Sequence, residues 1–76
     1  MAGSQTMKAG DVAAYAQERI ATLRQEIVGL GNNPALSNDF VEVSIEIKES
    51  QIERWRHITQ MALNQGPEEE LTFDAP

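Results

Sequence analysis

Residues 40–65 carry a polar stripe that recurs with the period of an α-helix. When each residue advances by about 100° around a helix axis, the polar side chains fall within an arc of roughly 100°. They are Glu42, Glu46, Glu49, Glu53, Arg56, His57, Gln60 and Asn64. Large apolar residues occupy the other side, namely Phe40, Val41, Ile45, Ile47, Ile52, Trp55, Ile58 and Leu63. Because a stripe stays in phase only along one backbone conformation, the pattern predicts a single helix over about 38–65.

The first part of this helix, FVEVSIEI at 40–47, has a second interpretation as a β-strand. Apolar and polar residues alternate along it, and β-branched residues share one face of such a strand. They are Val41, Val43, Ile45 and Ile47. β-Branched residues also lower helix propensity. Ser37 at the N-cap position and Asp39 in the first turn favour the helix, so an α-β-α order with a short strand at 40–47 remains the alternative.

An amphipathic helix is also predicted over about 11–30. Its apolar residues are Val12, Ala16, Ile20, Leu23, Ile27 and Leu30, whose spacings of 4, 4, 3, 4 and 3 form a narrow, coiled-coil-like seam. Asp11 is a suitable N-cap, and Gly31 followed by Pro34 predicts the end of the helix. Two helices joined by so short a loop predict an all-α fold, a two-helix antiparallel hairpin.

The two predicted helices differ in how much apolar surface they present. The seam of the first is about 80° wide, whereas the apolar arc of the second is about 200° wide. A hairpin covers one stripe of each helix, so part of the second helix stays exposed. A chain of 76 residues without cysteine has no disulfides to compensate for a small core. We therefore expect a homo-oligomeric helical bundle, either a homodimer or a larger assembly.

The two ends of the chain differ in composition from the helical region. Residues 1–10 are small and polar and predict a disordered lead-in, residues 11–65 form the hairpin domain, and residues 66–76 predict a flexible acidic tail. Four of the 12 acidic residues lie in that tail, namely Glu68, Glu69, Glu70 and Asp74.

Charge and hydropathy exclude some classes of partner. The formal net charge is −6, and binding along a nucleic acid needs a basic stripe, so we expect no long nucleic-acid partner. No apolar run approaches the roughly 18 residues of a membrane span, and the N-terminus lacks the layout of a signal peptide. These features predict a cytoplasmic protein with no membrane partner.

The sequence contains no catalytic motif, so we expect neither enzymatic activity nor a cofactor. His57 follows Glu53 by four residues on the polar stripe, which predicts a solvated pair. Metal-binding helical bundles direct their carboxylates inward. The glutamates of the polar stripe face outward in the predicted bundle, and we therefore predict no metal site.

Polar residues interrupt the apolar face of the second helix, and buried polar groups need partners. In one interpretation Lys48 extends to the rim of that face and Gln51 fixes the register of helix pairing. In the other, a polar pocket lies at a subunit junction, where Lys48 neutralises an anion and Trp55 stacks on the ligand. The candidate ligand-binding residues are Ser44, Lys48, Gln51 and Trp55, joined by Tyr15 and Arg19 of a neighbouring chain.

Two families of helical hairpins resemble parts of the sequence. LRQEIVGL…LSNDFVEVSIEIK resembles the sporulation aspartyl-phosphate phosphatases, whose second-helix motif would fall on 44–48. Ser44 and Glu46 match that motif, and Lys48 stands where it has its functional Asp. VSI at 43–45 and Gln51 are similar to the second helix of the phage hairpin domain of anti-CBASS and anti-Thoeris sponges, which sequester cyclic oligonucleotides. Both resemblances imply regulation by binding.

Three hypotheses for the function follow. The leading one is a small non-enzymatic binding or regulatory protein that acts by protein–protein interaction on a host protein, as a phage or mobile-element inhibitor does. The second is an anti-defence sponge that sequesters cyclic oligonucleotides, which are small anionic nucleotide ligands, in pockets at subunit junctions. The third is an aspartyl-phosphate phosphatase-like hairpin with a degenerate motif.

Overall fold

The computed structural model describes residues 3–76 of the chain. Its elements are, in order, strand β1 (Ser4–Lys8), helix α1 (Ala9–Gly31), helix α2 (Asn38–Leu63) and strand β2 (Glu70–Asp74). The two helices pack against each other as a hairpin, and the two strands form a small antiparallel sheet. The two long helices agree with the prediction. The fold is mostly helical rather than all-α, because it also contains this two-stranded sheet, which was not predicted.

Helix α2 is continuous through residues 40–47, so the alternative with a strand there is wrong. The Ser37 hydroxyl accepts a hydrogen bond from the Phe40 amide at 3.2 Å, and the Ser37 carbonyl accepts one from the Val41 amide at 3.0 Å. This N-cap satisfies amides of the first turn, where Asp39 adds a favourable negative charge. The helical period of the polar stripe therefore outweighs the strand propensity of the β-branched residues.

Helix α1 begins at Ala9 rather than near Asp11, because the C-terminal segment caps it. The Ala9 amide donates to the Glu69 carbonyl at 2.7 Å, and the Gly10 amide donates to the Pro67 carbonyl at 3.1 Å. These bonds satisfy two of the four amides that the start of a helix leaves unpaired. A Cβ on Gly10 would lie 3.3 Å from the Pro67 side chain, so glycine allows the two segments to approach closely.

The sheet joins the two ends of the described chain, with Thr6 opposite Thr72 at its centre. Side chains alternate between the two faces of a strand, and Leu71 and Phe73 point to the buried face. On the outer face the Thr6 and Thr72 hydroxyls lie 2.8 Å apart. Leu71 and Phe73 thereby fix the sheet to the helical hairpin as part of its core.

The two strands lie in the terminal segments of the chain, where the sequence predicted no regular structure. We expected a disordered lead-in over 1–10 and a flexible tail over 66–76, whereas residues 4–8 and 70–74 are paired strands. Residues 1–2 of the expected lead-in lie outside the described part of the chain. Thr6 and Thr72 are 66 residues apart in the sequence, so no local pattern could reveal that these segments pair.

Trp55 lies at the centre of the core and is 3% exposed. Its ring meets that of Tyr15 edge-on, with centroids 5.4 Å apart, and that of Phe73 at 6.0 Å. Edge-on contacts between aromatic rings are favourable, so α1, α2 and β2 are joined by one aromatic ring each. The other core residues are Ala9, Val12, Ala16, Ile20, Leu23, Ile52, Ile58, Ala62 and Leu71.

Over residues 3–76, neither helix combines the length and the apolar character needed to cross a membrane.

Candidate functional site

The aromatic residues of the expected ligand pocket lie in the core. Trp55 is enclosed by Tyr15 on one side and Phe73 on another. Because its ring is 3% exposed, Trp55 offers no open stacking face in the single chain. Tyr15 is half-buried and packs against the same cluster. Both residues therefore stabilise the junction of the helices with the sheet.

Lys48 bridges the two helices through an ion pair. Its ammonium Nζ donates to Glu26 Oε1 at 2.8 Å. The hydrogen bond from Lys48, and then its charge, hold the pKa of the Glu26 carboxyl below its ordinary value of 4.5, and Arg19 adds a smaller effect in the same direction. The Lys48 charge is thus already balanced within the chain.

The remaining pocket candidates, Ser44, Gln51 and Arg19, are half-buried along the hairpin. The structure therefore places all six candidates on or near the contact between the helices, but it does not bring the Trp55 ring and the Lys48 ammonium together in an open cavity. Neither of the two cavities described below is lined by any of the six. Among these polar residues, Lys48 has its partner on α1.

An exposed apolar surface lies on the first half of α2, and we call it the α2 stripe. It consists of Phe40, Val43 and Ile47, which are 53%, 55% and 56% exposed. Spacings of three and four residues place them on one face of the helix. Large apolar side chains that remain exposed together on one face are typical of interaction surfaces.

Each residue of the α2 stripe follows an acidic residue in the sequence. The acidic residues are Asp39, Glu42 and Glu46, and all three are exposed. Since one residue advances about 100° around a helix, these carboxylates form a row along one side of the α2 stripe. The other side of the stripe turns towards α1. We call this row the acidic row.

A second surface lies between α2 and β2, and we call it the β2 groove. It is an open cavity of about 1170 Å³. The second half of α2 forms one wall with Ser50, Glu53, Arg54, His57, Ile58 and Met61, and the end of the sheet forms the other with Gly3, Ser4, Thr72, Phe73, Asp74, Ala75 and Pro76. The groove combines an apolar floor with charged rims.

The rims of the β2 groove carry charges of both signs. Glu53 lies 3.7 Å from Arg56, and the Asp74 carboxylate accepts a hydrogen bond from the Ser4 hydroxyl at 2.7 Å. Arg54 makes no ion pair with another residue of 3–76. A guanidinium is charged at any physiological pH. The rims of the groove therefore carry the guanidinium of Arg54 together with the carboxylates of Glu53 and Asp74.

His57 lines the β2 groove rather than forming the expected pair with Glu53, whose ion pair is with Arg56. Sequence reasoning missed Arg54 as a candidate. The sequence pattern that could have revealed it is the helical period. Arg54 follows Ile47 by seven residues and therefore lies on the same face of α2 as the α2 stripe. A basic residue in line with exposed apolar residues marks a surface that is not part of the core.

A smaller cavity of about 250 Å³ lies between the helices, lined by Arg24, Ile27, Glu49, Ile52, Glu53 and Arg56. Among residues 3–76, no three His, Cys, Asp or Glu side chains are grouped so that they could hold a metal ion.

Comparisons with family models, curated proteins and solved structures find no match for this chain.

Proposed function

We propose that this chain is a small non-enzymatic regulatory protein that acts by binding another protein through the α2 stripe. The observation that carries the proposal is the exposure of Phe40, Val43 and Ile47, each more than half exposed on one face of a helix. Burying such side chains at an interface is favourable, because it removes apolar area from water. A face of this kind suits an amphipathic helix of the partner.

The acidic row defines the chemistry of that partner. Asp39, Glu42 and Glu46 lie beside the apolar residues that the partner covers. Complementary charge around an interface raises specificity and the association rate. The proposed partner therefore presents apolar residues with Lys or Arg along one side.

Homo-oligomerisation through the same stripe is the proposed state of the protein without its partner. In an antiparallel two-fold dimer the same patch of both copies meets, so Phe40 of one copy can pack on Val43 of the other. That arrangement brings the acidic row of one copy beside its counterpart. The repulsion weakens self-association at low salt and leaves the stripe available to a basic partner.

The test uses two synthetic helical peptides of equal length with leucine along one face. One peptide has lysine beside the leucines, and the other has glutamate at those positions. We expect the lysine peptide to bind the protein, with an affinity that falls as salt is added, and the glutamate peptide to bind more weakly. Fluorescence anisotropy of labelled peptides measures both affinities.

Val43→Gln and Val28→Gln are matched variants for this test. Both valines are exposed residues of helices, 55% for Val43 on α2 and 61% for Val28 on α1. Val43→Gln should weaken binding of the lysine peptide, while Val28→Gln should leave it unchanged. Equal effects of the two variants, or equal affinity for both peptides, would contradict the proposal.

The nucleotide-binding and phosphatase-like hypotheses stay alternatives to this proposal. A nucleotide that stacks on Trp55 would need the ring to leave the core, and an anion at Lys48 would compete with Glu26.

A further inference from the structure

The face of α2 that carries the α2 stripe continues into the β2 groove. Four groove residues follow Ile47 at spacings of three, four, three and four, namely Ser50, Arg54, His57 and Met61. Phe40, Val43 and Ile47 have the same alternation, so the seven residues form one series over 40–61, which we call the outer seam. Alternating spacings of three and four keep residues on one face of a helix. Six of the seven are exposed, and Met61 is half-buried.

The outer seam has the residue spacing with which helices pack on one another. Helix α2 uses the same spacing on the face that packs against α1, where the buried residues are Ile52, Trp55, Thr59 and Ala62. At about 100° per residue, the two series are centred roughly 130° apart around the axis of α2. A helix on the outer seam therefore leaves the contact between α1 and α2 undisturbed.

Carboxylates follow the outer seam over most of its length. Glu49 and Glu53 are exposed and continue in line with the acidic row, each directly before a residue of the outer seam. The five carboxylates together span about 21 Å of helix. On the other wall of the groove Asp74 adds a carboxylate, which stays charged while it accepts a hydroxyl hydrogen bond. These carboxylates outnumber the guanidinium of Arg54, so the charge along the outer seam suits a partner with a basic row.

The β2 groove is large enough for part of a partner helix. Its lining residues on α2 extend from Ser50 to Met61, which is about 16 Å along the helix axis. A volume of about 1170 Å³ over this length is a mean cross-section of roughly 70 Å². An α-helix with its side chains is about 10 Å in diameter, which is a cross-section of roughly 80 Å². The groove therefore accommodates most of a helix, whose outer face stays in solvent.

We propose that the partner's amphipathic helix lies along the whole outer seam, so that one half covers the α2 stripe and the other half lies in the β2 groove. The inference rests on the function proposed above and extends its binding site to the end of the sheet. The helix has about six turns, since 40–61 spans roughly 32 Å. Apolar side chains of its second half pack on Ile58, Met61 and Phe73, which line the groove.

The terminal segments are then part of the binding site. Residues 72–76, with Gly3 and Ser4, form the wall of the groove opposite α2. That wall exists only while β1 and β2 are paired. A ligand stabilises the state to which it binds more tightly. The partner helix therefore holds the two ends of the chain together, and the pairing of the ends raises its affinity in turn.

A second copy of this chain is a poorer occupant of the groove. Its α2 would bring the same five carboxylates towards those of the first copy, and juxtaposed like charges disfavour binding. The charge along the outer seam therefore favours a different, basic protein.

The test uses two helical peptides with leucine along one face and lysine beside it, of about 12 and about 24 residues. Lactam bridges hold both helical. The short peptide covers the α2 stripe alone, and the long peptide also reaches Met61. Fluorescence anisotropy of labelled peptides measures their affinities for the full chain. We expect the long peptide to bind at least about tenfold more tightly, because it also buries the floor of the groove.

Variants with an added lysine locate the second half of the long peptide. His57→Lys and Ala75→Lys place a cation on opposite walls of the groove. Each should remove most of the gain of the long peptide and leave the affinity of the short peptide unchanged. Thr22→Lys, at an exposed position of α1 outside the groove, makes the same change of charge and should leave both affinities unchanged.

Hydrogen exchange tests the coupling between the partner helix and the ends of the chain. The Ala9 and Gly10 amides donate to the Glu69 and Pro67 carbonyls, so they exchange when the ends separate. Saturating long peptide should slow their exchange by about the same factor of ten, because the coupling is reciprocal. Saturating short peptide should leave it unchanged.

Three results would overturn the proposal: equal affinities of the two peptides, equal effects of His57→Lys and Thr22→Lys, or unchanged exchange with the long peptide. If the short peptide binds in any of these cases, the function proposed for the α2 stripe stands. If neither peptide binds, both proposals are wrong.

Discussion

Phe73 of β2 packs edge-on against Trp55 of α2, with ring centroids 6.0 Å apart. Through this contact the C-terminal strand covers part of the apolar arc of α2 that the hairpin alone leaves exposed. Strand β2 of the same chain therefore buries part of the apolar surface of α2 that we expected a second copy to bury. Large apolar residues of α2 that stay exposed are those of the α2 stripe, in the first half of the helix, and Leu63 at its end.

Trp55→Ala should destabilise the fold strongly, because it leaves a cavity between three elements. We expect the free energy of unfolding to fall by about 3–5 kcal/mol, measured by urea denaturation. Leu63→Ala is the control, since Leu63 is 65% exposed. Its effect should stay within about 0.5 kcal/mol. A small loss for Trp55→Ala would mean that the ring isn't enclosed.

Phe73→Ala tests whether β2 is part of the folded core. Phe73 is buried, whereas its neighbour Thr72 faces outward. We expect a loss of about 3–5 kcal/mol for Phe73→Ala, again by urea denaturation. The control, Thr72→Ala, should cost much less, because it removes one exposed hydroxyl contact. If the two substitutions cost the same, the tail would be flexible, as its composition predicts.

The ion pair between Lys48 and Glu26 makes a pH-dependent contribution to stability. The folded-state pKa of Glu26 lies below its ordinary value of 4.5. The contribution is therefore present above that value and is lost as the pH falls through the folded-state pKa. Lys48→Met should return the Glu26 pKa towards 4.5, which a carboxyl-carbon NMR titration measures. The free energy of unfolding at neutral pH should change little, since the pair is partly exposed.

Self-association should increase with ionic strength, because salt screens the repulsion between the acidic rows of two copies. Sedimentation velocity at low and high salt measures the change. Glu46→Gln removes one carboxylate from each row and should promote association at low salt, while Glu18→Gln on α1 should not. A monomer under all these conditions would contradict self-association and leave binding of a basic partner as the role of the stripe.

The helices were predictable because their signals are local and repeated. The polar stripe of α2 persists over about six turns, and Ser37 and Asp39 mark the start of the helix. The sheet was not predictable in the same way. Leu71 and Phe73 alternate with polar residues, which is a weak strand signal, but SQTMK at 4–8 has no comparable pattern. A strand that forms only against a distant segment is stabilised by pairing with that segment. A short stretch of sequence does not contain both partners, so it does not reveal the pairing.

The candidate sites were predictable in part for the same reason. The position of Lys48 within an apolar face indicated a polar contact, and its partner proved to be Glu26. The β2 groove needs Arg54 from α2 and Asp74 from β2 on its rims. It could not be inferred without knowing that β2 folds back along the hairpin.

The backbone bonds from Ala9 to Glu69 and from Gly10 to Pro67 have a consequence for the order of folding. They close a loop that contains both helices, and the entropy cost of closing a loop grows with its length. The hairpin needs only a short loop, so it can form first, and the ends meet on its surface afterwards. By the same argument we expect these bonds to be the first to open when the protein begins to unfold. The β2 groove, which exists only after the ends have met, would be present only in chains that have completed this last step.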